Sequence, residues 1–204
     1  MATGGVKKQA LEAVVLAGGA GSRFGGGKLT APWRGGALID GALAAAFAAP
    51  VRSVTVVTGA DANVEGAART LAERLNQSSR LRMVHCREHG AGMGHTLRTG
   101  IEALPADAGG AFVFLGDMPL IPTAVLARLA DAVAAGAPAA APSYEGRRGH
   151  PVLFSTALLP QLRALSGDQG ARDVLRALSD RLVLVATDDP GVLVDIDRPE
   201  DLPD

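Results

Sequence analysis

Residues 13–28 read AVVLAGGAGSRFGGGK, a short apolar run followed at once by a loop with six glycines. The apolar part, residues 13–16, has the length and composition of a buried β-strand. Glycine allows successive backbone N–H groups to converge on an anion, and Arg23 and Lys28 add positive charge to the same loop. The stretch therefore predicts a strand that leads into a phosphate-binding loop; the alternative is a surface loop with incidental charges.

Two familiar phosphate loops fit the same residues poorly. A Walker loop requires glycine where the chain has Ser22, and Ser or Thr where it has Leu29. The dinucleotide-binding fingerprint requires its third glycine at Phe24, and Gly25 comes one position late. Asp40 lies roughly where a ribose-binding acid belongs, so a nicotinamide-dependent oxidoreductase stays open as an alternative.

Outward from this loop the chain alternates between strand and helix. Apolar runs predict further strands at residues 54–58, 81–84, 111–115, 152–154, 182–185 and 192–196, and helical spacing predicts helices at 38–48, 63–75, 95–104, 124–134 and 171–178. The alternation predicts a single α/β domain over residues 1–204, with a flexible N-terminus at 1–11 and a mainly parallel central sheet covered by helices on both faces. In such sheets ligands bind beyond the carboxyl ends of the strands.

Composition argues against several classes of partner. The 204 residues carry a net charge of −1 and only 3% aromatic residues, so the chain lacks the positive field and the stacking surfaces that nucleic acids require. Its apolar runs are shorter than the ~18 residues of a membrane span, and its N-terminus lacks the pattern of a secretory signal. Together with a single cysteine, Cys86, these features predict a cytoplasmic protein with no nucleic-acid or membrane partner.

An aspartate follows the strand predicted at 111–115. Asp117 stands directly after Gly116, and Pro119 comes two residues later. A carboxylate at the carboxyl end of a central strand is well placed to hold a hard cation against phosphate oxygens. Asp117 is therefore the first predicted metal ligand, with a turn or helix-capping aspartate as the alternative.

The C-terminal region supplies a second candidate ligand. Asp195 and Asp197 lie two residues apart at the end of a predicted strand, so both side chains would point to the same face. Asp197 is also followed three residues later by Glu200, which is a capping-box pattern for a short last helix. The two interpretations of Asp197 are compatible.

The second half of the chain holds two polar turns, and the first of them is a candidate for binding an anionic acceptor. Arg147, Arg148 and His150 stand directly before a predicted strand, and two arginines with a histidine suit an anion; a solvated turn is the alternative. The turn at 166–172 is bracketed by glycines and opens a helix, which Asp168 would cap.

The segment before the helix predicted at 95–104 is rich in glycine and histidine. Its glycines precede the helix, whose free N–H groups would bind phosphate or a base edge near Gly92 and Met93. No structural zinc site matches the spacing of four residues in this region, His85, Cys86, His89 and His95.

Five motifs follow one another along nearly the whole chain. They are LAGGAGSRFGGGK at 16–28, LGDMP at 115–119, GRRGHPVLF at 146–154, GDQGAR at 167–172 and DIDRPEDL at 195–202. Any one of them is weak evidence, but the five in this order resemble the molybdenum cofactor cytidylyltransferases.

The resemblance implies a Rossmann-like nucleotidyltransferase fold and the transfer of CMP from CTP to molybdenum-loaded molybdopterin, with Mg²⁺ as the cofactor and pyrophosphate as the second product. It also implies a transient contact with a molybdoenzyme or its chaperone. Catalytic roles would fall to Lys28, Arg23 and Asp117. The nucleotide would be bound by Leu16, Ala17, Gly18, Gly19, Gly21, Arg23, Lys28, Gly92, Met93 and Asp117. The acceptor would lie against Arg148, Gly149, His150, Pro151 and Asp168, and Mg²⁺ would be held by Asp117 with Asp195 or Asp197.

Departures from the family pattern concern the nucleotide. Cytidylyl members usually read LAAG where residues 16–19 read LAGG, as in the related guanylyltransferases. Those guanylyl relatives usually carry aspartate directly before the lysine, where this chain has Gly27, and the segment at 146–154 resembles the cytidylyl branch. The family usually has small hydroxyl residues at Gly94 and His95. CTP is therefore favoured, with GTP, another phosphorylated acceptor and a non-catalytic cofactor carrier as alternatives.

Overall fold

A mixed but mainly parallel sheet forms the centre of the molecule. The computed structural model describes residues 10–19, 21, 24–168 and 170–202. The strands are β1 (Leu11–Ala17), β2 (Pro32–Trp33), β3 (Gly36–Ala37), β4 (Val54–Thr58), β5 (Leu81–His85), β6 (Gly110–Leu115), β7 (Ala139–Tyr144), β8 (Arg147–Arg148), β9 (Val152–Ser155) and β10 (Leu182–Ala186). The main sheet has the order β10-β7-β9-β6-β1-β4-β5, β8 pairs with β7, and β2 and β3 form a separate hairpin.

Helices cover both faces of this sheet. They are α1 (Ile39–Ala48), α2 (Val64–Arg74), α3 (Met93–Glu102), α4 (Ala124–Ala134), α5 (Leu159–Arg163) and α6 (Arg172–Leu178). The alternation of β1 shows the two layers: Val15 packs in a core with α1, α2 and α4, whereas Val14 packs in a second core with α3, α5 and α6. The predicted α/β fold, with helices on both sides of a mainly parallel sheet, is confirmed.

Strand β9 is antiparallel to both of its neighbours, β6 and β7, while the other long strands of the sheet pair in parallel. Val152, the first residue of β9, lies opposite Val113 near the end of β6. The turn that precedes β9 therefore lies at the same edge of the sheet as the loops that follow β1, β4 and β6. The reversed direction of β9 is what brings the basic turn to the carboxyl edge.

Two parts of the predicted strand pattern are wrong. Strand β7 was not predicted, because AAAPSY has low intrinsic strand propensity; it forms because it is buried between β9 and β10. Conversely, the predicted strand at 192–196 is instead a 3-10 turn, Pro190–Leu193, followed by residues without sheet pairing. Proline starts this turn, and the Asp189 carboxylate accepts a hydrogen bond from Gly191 N–H at 2.8 Å.

Within the described ranges, no helix is long and apolar enough to cross a bilayer.

Candidate active site

Lys28 lies at the centre of the polar cluster at the carboxyl edge of the sheet. Its ammonium nitrogen is 2.7 Å from Asp117 Oδ2 and 3.4 Å from Asp197 Oδ1. The Lys28 side chain is only 12% exposed, so these are shielded contacts. Gly21, with φ of 58°, passes close to Lys28: a Cβ at Gly21 would lie 2.9 Å from Lys28 Cβ. Gly21 therefore lies against the lysine that ends the glycine loop.

The exit of β6 places Asp117. Leu16 and Leu115 are paired in register at the ends of β1 and β6, and Gly116 N–H donates to the carbonyl oxygen of Leu16 at 2.9 Å. A Cβ at Gly116 would lie 2.9 Å from that carbonyl oxygen, which explains the glycine. The glycine loop and the aspartate consequently leave the sheet side by side.

Backbone contacts, rather than strand pairing, place Asp197. Ile196 N–H donates to the carbonyl oxygen of Asp117 at 3.0 Å. The predicted capping box uses a different acid, since Asp201 accepts hydrogen bonds from the N–H groups of Asp197 and Arg198. The structure thus brings Asp197 to Asp117 and leaves the side chain of Asp195 exposed. The shared strand face expected for the two aspartates is wrong, because this segment is not a strand.

The basic turn forms a hairpin, β7–β8, against the C-terminal segment. Arg148 is exposed, and Gly149 is buried under the carbonyl oxygen of Val192, which would lie 2.3 Å from a Cβ at Gly149. His150 N–H donates to the same carbonyl oxygen at 2.9 Å. Pro151, the next residue, is buried. The hairpin and the segment that carries Asp197 are therefore fastened to each other.

His150 faces this cluster as a neutral side chain. Burial lowers the pKa of His150 to about 4, and the positive charges of Arg148 and Arg172 act in the same direction, while Asp117 opposes them. Nδ1 of His150 is buried and has no hydrogen-bond partner within the described part of the chain. At neutral pH the ring therefore presents an uncharged and unpaired nitrogen.

Helix α3 begins at Met93, in contact with the turn that carries Asp168. Gly94 N–H donates to the carbonyl oxygen of Gly167 at 2.8 Å. The sequence predicted free N–H groups at this helix start, and for Gly94 that prediction is wrong. A Cβ at Gly92 would lie 2.3 Å from Asp168 Oδ1. Asp168 does not cap α6, whose N-cap is Ala171. Gly92, which was assigned to the nucleotide, thus lies next to Asp168, which was assigned to the acceptor.

Several contributors to this edge were not singled out from the sequence. A Cβ at Gly59 would lie 2.4 Å from the carbonyl oxygen of Gly18, and a Cβ at Gly18 would lie 2.9 Å from Thr96 Oγ1. Thr30 Oγ1 donates to Asp61 Oδ2 at 2.9 Å, which connects the Lys28 turn to the loop after β4. The available signal was position, since Gly59 directly follows a predicted strand.

Other predicted residues lie elsewhere. Arg23 lies outside the described residues. Asp40, the candidate ribose acid, pairs with Arg74 at 2.9 Å. Cys86 is buried in the core, and His95 Nδ1 contacts Glu88 at 3.1 Å, so these two members of the histidine-rich segment have separate surroundings.

Comparison with protein families and curated relatives gives a consistent picture. The family model of the MobA-like NTP transferase domain matches residues 13–182. The chain is 26% identical to the molybdenum cofactor cytidylyltransferase of Escherichia coli (strain K12), over 94% of this chain and 93% of that one. It is 35% identical over 123 residues to the purine catabolism protein PucB of Bacillus subtilis (strain 168). That second match spans 57% of each chain.

Solved structures share the architecture. The crystal structure of Rv0371c from Mycobacterium tuberculosis H37Rv superposes with a TM-score of 0.77 at 24% identity, covering 96% of both chains. A structure of the same protein in complex with manganese has a TM-score of 0.70 at 23% identity, covering 94% of this chain and 95% of that one. At these identities the likeness establishes the fold.

Proposed function

The chain belongs to the family of MobA-like NTP transferase domains and is a nucleotidyltransferase, and from that premise we propose that it transfers CMP from CTP to molybdenum-loaded molybdopterin, releasing pyrophosphate. The observation that carries the proposal is the contact of Lys28 with both Asp117 and Asp197, which joins three distant motifs at one point. Similarity to the E. coli cytidylyltransferase over 94% of this chain supports the choice of substrates.

The acidic pair suits a divalent cation. Asp117 and Asp197 approach one ammonium nitrogen at 2.7 and 3.4 Å, so their oxygens are already directed at a common cation position. Mg²⁺ typically binds one or two carboxylates together with substrate phosphates, which matches this donor set. We assign Mg²⁺ to Asp117 and Asp197; the manganese complex of the mycobacterial relative supports a divalent ion. When bound, the ion would withdraw charge from the phosphate oxygens.

The reaction needs alignment and charge neutralisation from the chain. A terminal phosphate oxygen of the acceptor forms a bond to the α-phosphorus of CTP, the bond from that phosphorus to the β-phosphate oxygen breaks, and pyrophosphate leaves in line. The acceptor phosphate is already ionised, so no general base is required. Lys28, together with Arg23 by its position in the sequence, would neutralise the departing phosphates. Backbone N–H groups at Gly18 and Gly19 would cradle the nucleotide.

We assign the acceptor to the side of the cluster formed by the hairpin and the neighbouring turn. Arg148 supplies a cation for an anionic group, and the unpaired Nδ1 of His150 supplies a hydrogen-bonding position without charge. Gly149 lies between these two residues, and Pro151 follows His150. Asp168 lies further along, against Gly92, where the acceptor and nucleotide sides meet.

A guanylyl transfer from GTP is the second candidate, and one observation favours it. Residues 16–19 read LAGG, the pattern of the guanylyl relatives. Gly27 before Lys28 and the GRRGHPVLF segment favour cytidine. Another phosphorylated acceptor would use the same triphosphate loop.

The test is pyrophosphate release with Mg²⁺ and each of CTP, GTP, ATP and UTP, with and without molybdenum-loaded molybdopterin. Asp117→Asn is compared with Asp131→Asn, which makes the same change on the exposed face of α4. We expect release that requires CTP, the acceptor and Asp117, and that survives Asp131→Asn. A preference for GTP would move the assignment to guanylyl transfer. Nucleotide binding without any release by folded protein would indicate the non-catalytic carrier.

A further inference from the structure

Resting on the proposed function, we propose that Lys28 competes with the divalent cation for Asp117 and Asp197, so that the lysine holds the acidic pair until the triphosphate withdraws it. Tight metal binding then requires the nucleotide. Lys28 would then bind phosphate and also make the affinity for the metal depend on whether the nucleotide is bound.

The contacts of the lysine carry the inference. One ammonium nitrogen lies 2.7 Å from Asp117 Oδ2 and 3.4 Å from Asp197 Oδ1, within the range of charged hydrogen bonds and ion pairs. The aspartates are 27% and 43% exposed, whereas Lys28 is 12% exposed. The ammonium group therefore occupies the inner position between the carboxylates, where a bridging metal ion would also lie.

Electrostatics makes the two cations mutually exclusive at that position. A divalent ion bound to the same oxygens would lie within a few ångströms of the ammonium, and two positive charges at that separation repel each other strongly in a partly buried site. Lysine binds phosphate well as a point charge. The triphosphate therefore offers Lys28 a new anionic partner at the moment when the metal needs the carboxylates.

The neighbouring backbone allows the side chain to move without carrying its loop away. Thr30 is anchored to Asp61, which holds the turn that begins at Lys28. Positions Gly25 and Gly26 have open space around them and φ values of 90° and 94°. Asp197 meanwhile stays next to Asp117 through the Ile196 hydrogen bond, so withdrawal of the lysine leaves both carboxylates in place.

The thermodynamic consequence is a positive coupling between metal and nucleotide. Whatever factor the nucleotide adds to metal affinity, the metal adds to nucleotide affinity. The opposite arrangement is a fixed ion pair in which Lys28 organises the carboxylates and stays there when the metal binds. In that arrangement, removing the lysine would weaken metal binding or leave it unchanged.

The experiment measures Mn²⁺ affinity of nucleotide-free protein by the electron paramagnetic resonance signal of free Mn²⁺. We expect Lys28→Met to bind Mn²⁺ roughly tenfold or more tightly than wild type, within the usual range of coupling between sites. Lys28→Arg keeps the charge and should stay weak. Arg69→Met removes one positive charge from an exposed pair with Glu65 and should change the affinity less than about twofold, because exposed charges are screened by salt.

Two further variants make the result decisive. Lys28→Gln keeps a polar end and serves as the second substitution if Lys28→Met melts early. Adding Asp117→Asn to Lys28→Met should abolish the gained affinity, which locates the gain at the acidic pair. If Lys28→Met and Lys28→Gln both bind Mn²⁺ no more tightly than Arg69→Met does, the proposed competition is wrong.

This test separates the inference from the proposed reaction. A tighter Mn²⁺ site in Lys28→Met supports the competition even where no nucleotide gives pyrophosphate release. An unchanged site together with CTP-dependent release would reject the competition and leave the proposed transfer intact.

Discussion

Ile196 N–H donates to the carbonyl oxygen of Asp117 across 3.0 Å, and this hydrogen bond joins the C-terminal segment to the exit of β6. The segment has no sheet pairing of its own at this point. Its attachment depends on this bond, on the hydrogen bond from His150 N–H to Val192, and on the buried side chain of Ile196. Asp197 therefore reaches Lys28 because a backbone contact holds the residue before it.

Replacement of the two tail aspartates should have unequal effects. Asp197→Asn removes a charge that contacts Lys28, and we expect pyrophosphate release to fall on the order of a hundredfold, by analogy with the loss of one electrostatic stabiliser. Asp195→Asn makes the same chemical change two residues earlier on an exposed side chain and should stay within a few-fold of wild type. A larger loss in Asp195→Asn would reassign the ligand.

Gly149→Ala should disturb the contact between the hairpin and the tail. The added Cβ would meet the Val192 carbonyl oxygen at 2.3 Å, so one of the two backbones must move. We expect a free energy of unfolding lower by about 1–3 kcal/mol, as for overpacking, and a raised KM for the acceptor. Urea titration and acceptor saturation curves measure the two effects.

Gly66→Ala is the matched control for that substitution. Gly66 lies inside α2, and nothing lies within 4 Å of the position a Cβ would take. Alanine has the higher helix propensity, so this variant should gain about 0.5–1 kcal/mol in the free energy of unfolding and keep the wild-type KM. Equal losses in the two variants would show that the crowding at Gly149 has no special effect.

Stability should fall with acid through His150. Burial lowers the pKa of His150 from 6.5 to about 4, so the unfolded chain binds a proton in that interval that the folded chain does not. This contribution is fully present above pH 6.5 and is lost as the pH falls toward 4, by up to about 1.4 kcal/mol per pH unit. Arg148 and Arg172 strengthen the effect and Asp117 opposes it.

Denaturant titrations at pH 7.5 and pH 5 measure this effect. The loss of stability between the two conditions should be about 2 kcal/mol smaller in His150→Gln than in wild type, because glutamine does not titrate. Parallel losses in the two proteins would contradict a lowered pKa of His150 in the folded protein.

The opposite edge of the sheet holds a buried carboxylate that should matter for stability alone. Glu12 is fully buried and accepts hydrogen bonds from Ser53 N–H, Ser53 Oγ and Arg52. Glu12→Ala leaves the Ser53 N–H unsatisfied and should cost about 3 kcal/mol. Asp107, the other partner of Arg52, has a side chain that is 69% exposed. Asp107→Ala should therefore lower the free energy of unfolding by less than about 1 kcal/mol.

Thermal and denaturant melts test this pair, and activity per folded molecule should be unchanged in both variants. Similar costs for the two substitutions would show that the burial of Glu12 adds nothing.

Local sequence determined the layers of the fold and the first half of the site. The apolar runs of β1, β4 and β6 predict buried strands because each is bounded by glycine, proline or charge. Asp117 could be singled out by the same reasoning, because it follows a predicted central strand and ligands bind at the carboxyl ends of such strands. Lys28 could be singled out in the same way, because it ends a glycine-rich loop of the kind that binds phosphate.

Tertiary structure alone decided which distant residues meet. β7 forms from a sequence with weak strand propensity because burial between two strands outweighs that propensity. The tail is held by backbone hydrogen bonds to residues far away in sequence, and no local pattern encodes them. Long-range contacts also decide that Asp197, and not Asp195, contacts Lys28. They likewise decide that the carbonyl oxygen of Gly167 accepts a hydrogen bond from Gly94 N–H at the start of α3. Local periodicity reports which face of an element is buried, but not which partner lies against it.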